Sequence, residues 1–212
     1  MPVVLTFGDS NTHGTPPITD RGVYARFDAA TRWPRRMIAE LGADWELVEE
    51  GLPGRTAQFD DPVMGAHMNG RDGLKMALES HGPIDFLVLM LGTNDAKARF
   101  SAEAGGIASG LAGLCDVASH PLMQLRHGGF RLLLLCPPPV VEIGPIRAEF
   151  FGGAARSRAL APLCRALAAN YDAGFLDAGE VIAVSPQDGV HFDAASHARL
   201  ARAVAEKLRA MV

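Results

Sequence analysis

Cysteine is scarce in this chain: there are three, at positions 115, 136 and 164, and none forms a CxxC pair. That excludes a disulfide framework and a zinc ribbon, and it reads as buried free thiols in a reducing compartment. Positive charge is also short. The formal net charge is −4, and nucleic-acid binding asks for a basic stripe. The only cluster, RWPRR at 32–36, is brief and reads as a solvated helix start. No apolar run exceeds strand length, so no membrane span is expected. Pro2–Phe7 already reads as a strand, which leaves no charged leader segment. These absences point to a cytoplasmic protein without a nucleic-acid or membrane partner.

Other signatures are missing as well. The seven histidines include neither HExxH nor a paired Cys/His spacing, so no metal is expected. There is no GxGxxG and no Gly-Lys-Ser/Thr phosphate loop, so no nucleotide cofactor is expected, nor any other. GxSxG is absent too, which disfavours the α/β-hydrolase elbow.

The chain does have a hydrophobic share of 48% in 212 residues, enough for the core of one domain over 1–212. Strands are expected at 2–7, 45–50, 84–91, 130–136 and 173–178. Continuous apolarity at 86–91 and 132–135 suits strands covered on both faces. Helices are expected at 31–41, 70–80, 102–119, 154–169 and 194–210. Gly42 comes after the first as a stop signal, and Asp193 precedes the last as a cap. This alternation predicts an α/β fold: a three-layer αβα sandwich around five parallel strands in the flavodoxin-like order 2-1-3-4-5. Two long loops, 51–69 and 137–153, are candidates for pocket walls or subunit contacts.

The first strand runs into LTFGDSNTHG at 5–14. A glycine at its end permits a sharp turn, and residues just past that turn are displayed at the carboxyl edge of the sheet, where open α/β folds bind ligands. Ser10 is therefore a candidate nucleophile, and a serine hydroxyl needs a base. Asp9 and His13 are its sequence neighbours, but the turn directs them elsewhere. Asp9 is expected to bond the amides of its own loop, and His13 at most to line the entrance. A better pair is Asp188 and His191 in SPQDGVHFD, three residues apart and placed before the final helix on the same sheet edge. The chain order is then Ser, Asp, His. MLGTNDAK at 90–97 sets Asn94 beyond the central strand, where its amide can meet the negative charge of an acyl-transfer oxyanion. EEGLPGRT at 49–56 supplies a second donor loop, with Gly54 allowing close backbone approach.

GDS at 8–10, the glycine at 54, GTND at 92–95 and DGVH at 188–191 resemble, in order, the four blocks of the SGNH (GDSL-type) hydrolases. The resemblance covers nearly the whole chain. It implies Ser10 as nucleophile, His191 as base and Asp188 as its orienting acid, with an oxyanion hole from the Ser10 and Gly54 amides and the Asn94 side chain. EEGLPGRT, DDP and MLGTNDAKARF look closer to a bacterial arylesterase/acyltransferase branch, some members of which are octamers. The implied activity is hydrolysis of short-chain acetyl-type or aryl esters through an acyl-serine, with acyl transfer as a side activity, in a homo-oligomer. A carbohydrate acetylesterase, or a thioesterase or lysophospholipase with the same triad, stays open. A silent binding module is disfavoured, since no triad or oxyanion position is lost.

Two departures stand out. Position 11 is Asn where the family motif has Leu, at a variable site. The acyltransferase members carry tryptophans where His13 and Thr15 stand here, and loss of that aromatic wall admits water or a bulkier acyl or sugar ester. Asp9, His13, Thr15, Lys97, Val190, Phe150 and Phe151 are further candidates for substrate contact, the two phenylalanines equally for a subunit contact. His197 is expected on a helix surface, and Asp95 and Asp177 on loop amides. Asp60, Asp61 and Asp193 read as turn or cap residues.

Overall fold

The computed structural model describes residues 1–212. Its strands are β1 (Val3–Gly8), β2 (Glu46–Gly51), β3 (Phe86–Met90), β4 (Arg131–Cys136) and β5 (Gly174–Asp177). They form one five-stranded sheet in the order β2-β1-β3-β4-β5, with every pairing parallel, as expected. The helices are α1 (Ser10–His13), α2 (Trp33–Leu41), α3 (Gly70–Ser80), α4 (Ala104–Ser119), α5 (Pro121–His127), α6 (Gly153–Arg158), α7 (Leu160–Asn170) and α8 (Ala194–Arg209).

Because strand side chains alternate between faces, the apolar runs of β1, β3 and β4 divide into two cores. Leu5, Phe7, Leu87, Leu89, Leu132 and Leu134 pack under α3, α4 and α7. Val4, Phe86, Val88, Met90, Leu133 and Leu135 pack under α2 and α8. The edge strand β2 carries Glu46, Glu49 and Glu50 and is only half-buried, as a sheet edge tolerates. All three cysteines are buried and free. No helix is long and apolar enough to cross a membrane.

Several expectations need correction. The RWPRR cluster is not a solvated helix start. Arg32, Trp33 and Pro34 are buried, and Arg32 makes a two-pronged pair with Glu49 on β2, at 3.2 and 3.1 Å. Arg35 reaches the same carboxylate at 2.6 Å. His197 is not on a helix surface: it is 0% exposed. Its Nδ1 accepts the Trp33 N–H at 3.2 Å, and its ring meets Phe27 and Phe192 nearly edge-on. Burial pushes its pKa down to about 4, so the imidazole is neutral near pH 7.

The helix expected over 154–169 is two helices, α6 and α7, separated at Ala159. Within α6 the Ser157 hydroxyl donates back to Gly153 O at 2.8 Å and accepts Val140 N–H at 3.0 Å, a side-chain competition that disfavours a straight continuation. α5 has no counterpart in the sequence reading. Its start signals are nonetheless present, with Pro121 in its first turn and His120 accepting the Leu122 N–H.

Candidate active site

The carboxyl ends of β1 and β3 and the segment after β5 converge on one edge of the sheet. Gly8 ends β1, and the reason differs from that expected. Its backbone angle is ordinary, but a Cβ there would lie 2.1 Å from Thr12 Oγ1 and 2.8 Å from Met90 O. Space, not conformational freedom, demands glycine. Asp9 caps α1 by accepting Asn11 N–H at 2.9 Å, and Ser10 is the first residue of that turn.

Ser10 Oγ lies 3.0 Å from His191 Nε2. His191 Nδ1 lies 2.6 Å from Asp188 Oδ2. A carboxylate at Nδ1 fixes the proton there and leaves Nε2 free to accept from the hydroxyl. Asp188 is fully buried. Its Oδ1 accepts the N–H groups of Val190 and His191, both at 2.9 Å, and its Oδ2 also accepts Ile18 N–H at 2.7 Å. Burial works to raise its pKa, but the bond and charge of His191 and these amides outweigh it and hold the carboxyl below its usual range.

The chain's opening turn and its final loop are joined by Asn11. Its Nδ2 donates to Val190 O at 3.1 Å, and its Oδ1 accepts Phe192 N–H at 3.2 Å. These two bonds bracket His191. Nothing in the sequence marks this position for a task, since the family letter there is leucine.

Asn94 and Gly54 stand on the other side of Ser10 in the same cavity. Gly54 has φ +91°, where a side chain is strained, and its N–H has no acceptor within the chain. Asn94 Nδ2 donates to Arg55 O at 3.0 Å and to Asp9 Oδ2 at 3.3 Å. Asp95, also fully buried, accepts Ala57 N–H through both oxygens, at 3.0 and 2.9 Å. Burial pushes Asp9 up to about 6 and Asp95 up to about 7; the amide bonds of each oppose that rise, and Asp9 adds to it for Asp95.

The cavity encloses about 320 Å³ and is lined by Ser10, Asn94 and His191 together with Thr15, Gly54, Lys97, Phe150 and Val190. Three expected contacts fall elsewhere. Asp9 lies beneath the site, bonded to Asn94, and does not line the cavity. His13 ends α1, and its Nε2 meets the hydroxyl of Tyr24 at 2.9 Å, so it supports a wall residue from outside. Phe151 is 76% exposed and points away, because the turn that buries Phe150 reverses at the next residue. Lining residues that the sequence reading missed include Ile18, Tyr24, Ile146 and Glu149. Ile18, Tyr24 and Ile146 sit in irregular segments and Glu149 in a single 3₁₀ turn, Arg147–Phe150, all too short for periodicity. The Pro16–Pro17 pair is the one sign in the sequence that the chain before Ile18 is extended.

Replacing Asn11 by Leu removes two buried bonds and leaves Val190 O and Phe192 N–H unpaired. We expect a stability loss of about 2–4 kcal/mol in urea denaturation, with ester turnover falling about tenfold or more as His191 loses its register. The buried acids give a second expectation. An unfolded chain sheds their protons near pH 4, whereas the folded chain holds them to about 6 and 7. The folded state binds more protons between those limits, so these two groups make stability fall as pH rises through that window. Asp95→Asn removes its share: between about pH 5 and pH 8 the variant gains on the wild type by roughly 1–3 kcal/mol in urea denaturation.

The chain is similar over its full length to known structures. It is 35% identical to Est24, a carbohydrate acetylesterase from Sinorhizobium meliloti, with TM-score 0.94 and 100% of each chain covered. It is equally 35% identical to the aryl esterase of M. smegmatis, with TM-score 0.94 and 100% of each chain covered. No functionally curated protein matches the sequence. The profile of GDSL-like lipases and acylhydrolases matches residues 6–199. With that match, and with full-length likeness to two esterases, the chain belongs to the GDSL-like lipase/acylhydrolase family and is a carboxylic ester hydrolase.

Proposed function

We propose that the protein is a serine esterase that cleaves short-chain acyl esters through an acyl-serine intermediate. The observation that carries this reading is the continuous line of hydrogen bonds from Asp188 through His191 to Ser10, at 2.6 and 3.0 Å. His191 Nε2 takes the Ser10 proton as Oγ bonds to the ester carbonyl carbon. The resulting oxyanion is met by the N–H groups of Ser10 and Gly54 and by the Asn94 amide. Asn94 frees a proton for it by releasing Asp9, the longer of its two bonds at 3.3 Å. His191 then gives its proton to the departing alcohol oxygen as the carbonyl–alkoxy bond breaks. Water, deprotonated by His191, attacks the acyl-serine; the proton returns to Ser10 Oγ and the acid leaves. Asp188 holds the imidazole and balances its charge throughout.

A cavity of about 320 Å³ lies at the small end for ligand sites, which favours acetyl-type groups over long acyl chains and so over a lysophospholipase. Hydrolysis outruns acyl transfer, because Thr15 lines the cavity and His13 stands outside it, leaving no narrow aromatic wall at these positions to hold water back. The protein is a homo-oligomer that uses the 137–153 loop, where Phe151 and Val141 are exposed. Its three free thiols suit the cytoplasm.

With p-nitrophenyl acetate, Ser10→Ala should abolish nearly all turnover and fluorophosphonate labelling, and Asn94→Ala should cost about 10²–10³ in rate. Added alcohol should leave free acid as the main product; predominant ester would contradict the hydrolytic assignment. Light scattering should give a mass several times that of one chain, and a monomeric mass would remove the assembly.

A further inference from the structure

Most of the cavity wall near Ser10 is apolar, yet part of it carries charge with hydrogen-bonding capacity left over. Lys97 is 6% exposed. Its Nζ lies 3.7 Å from Glu149 Oε2 and 5.8 Å from the centre of the Phe150 ring, and it donates no hydrogen bond within the chain. Glu149 is shared among three cations without accepting a bond from any: Lys97 and Arg99, both at 3.7 Å, and Arg21 at 3.9 Å. Arg99 is meanwhile committed to Asp61, 3.0 Å away. Lys97 and Glu149 both line the cavity that holds Ser10, Asn94 and His191. So does Thr15, whose buried hydroxyl oxygen has no partner within the chain.

The Lys97 side chain is largely desolvated with its Nζ free to meet a ligand in the cavity, and the buried Thr15 hydroxyl lacks a partner. A polar group bound between them therefore makes hydrogen bonds the chain itself does not supply. A site built this way also discriminates strongly against ligands lacking the complementary group. The chemistry of the pair selects that group. A hydroxyl can accept from Nζ and donate to the Glu149 carboxylate at once, closing the 3.7 Å gap. A carboxylate would gain Lys97 but bring Glu149 no donor, and an aryl ring would offer Lys97 only a π face and Glu149 nothing. Lys97 stands over Phe150, whose ring packs with Ile146 and Val190, so the charged pair adjoins the apolar wall. An acetyl group carries no hydroxyl, so in a short-chain ester the group this pair selects belongs to the alcohol.

We propose that Lys97 and Glu149 form a hydroxyl-binding subsite for the alcohol portion of the ester, making the preferred substrates short acyl esters of alcohols that keep a free hydroxyl. This rests on the serine-esterase reading above.

The test compares kcat/KM for glycerol monoacetate with that for propyl acetate, which has the same carbon chain without the free hydroxyls. The wild-type ratio should favour the hydroxylated ester about tenfold to a hundredfold. Lys97→Met and Glu149→Gln should each cut that ratio by about tenfold. A wild-type ratio near one, or a ratio unchanged in both variants while both substrates slow equally, would overturn the subsite. Fluorophosphonate labelling of Ser10 reports whether each variant keeps a folded site. Should Lys97→Met fail it, the near-isosteric Glu149→Gln decides alone. Wild-type protein that labels and turns over propyl acetate, yet shows no preference, sinks the subsite and spares the esterase; failure to label or turn over any ester sinks both.

Discussion

The Ser10–His191 geometry depends first on a buried amide that ties the opening turn of the chain to its final loop. Parallel strands bring the turn after β1 and the loop before α8 to the same edge of the sheet, but strand pairing stops short of both segments. Asn11 spans the gap, bonding Val190 and Phe192 on either side of His191. The Ile18 N–H bond to Asp188 and the backbone bonds of the 185–191 loop also hold this region. Only the Asn11 bonds, however, bracket His191 from the turn that carries Ser10, and general-base catalysis tolerates little slack in the distance between those two residues. Leucine at this position would offer neither bond, so in this chain the apparently neutral letter has a structural task.

Around that clamp the protein gathers ionisable groups in a space where charge is costly. Asp9, Asp95, Arg55 and Lys97 are all buried within a few residues of the strand ends. Three of them are tied to backbone or to a polar side chain: Asp95 to Ala57, Asp9 to Asn11 and Asn94, and Arg55 to Gly8 O and Glu50 O and over the Phe7 ring. Such a network strengthens every dipole inside it. It holds the Asn94 amide and the Gly54 turn in place before any substrate arrives, which is what the proposed oxyanion role asks of them.

Much of this is legible in the sequence because it lies on regular elements. Apolar runs mark the sheet and its order. Glycine at a strand end, Asn94 beyond the next strand and the Asp188/His191 spacing mark one edge. The features that stay hidden depend on partners far away in the chain. Arg32 looks solvent-bound until Glu49 on β2 meets it. His197 looks like a surface residue because its letter is polar, although its spacing from Leu200, Ala201 and Val204 puts it on the buried stripe of α8; packing against Phe27 and Phe192 makes it core. Phe150 and Phe151 are indistinguishable as letters and part company only at a turn. Ile18 and Tyr24 come from irregular chain and Glu149 from one short 3₁₀ turn, where no period announces which side chains face inward.

Asp188 has a second attachment with its own implication. The oxygen that holds the imidazole also anchors the Ile18 N–H, and Ile18 is part of the cavity wall. Any exchange at this aspartate therefore loosens a stretch of cavity wall as well as the hold on the His191 imidazole. A change in apparent affinity accompanying lost turnover would stem from that shared oxygen, and the two effects are separable only by repairing one attachment while the other stays broken.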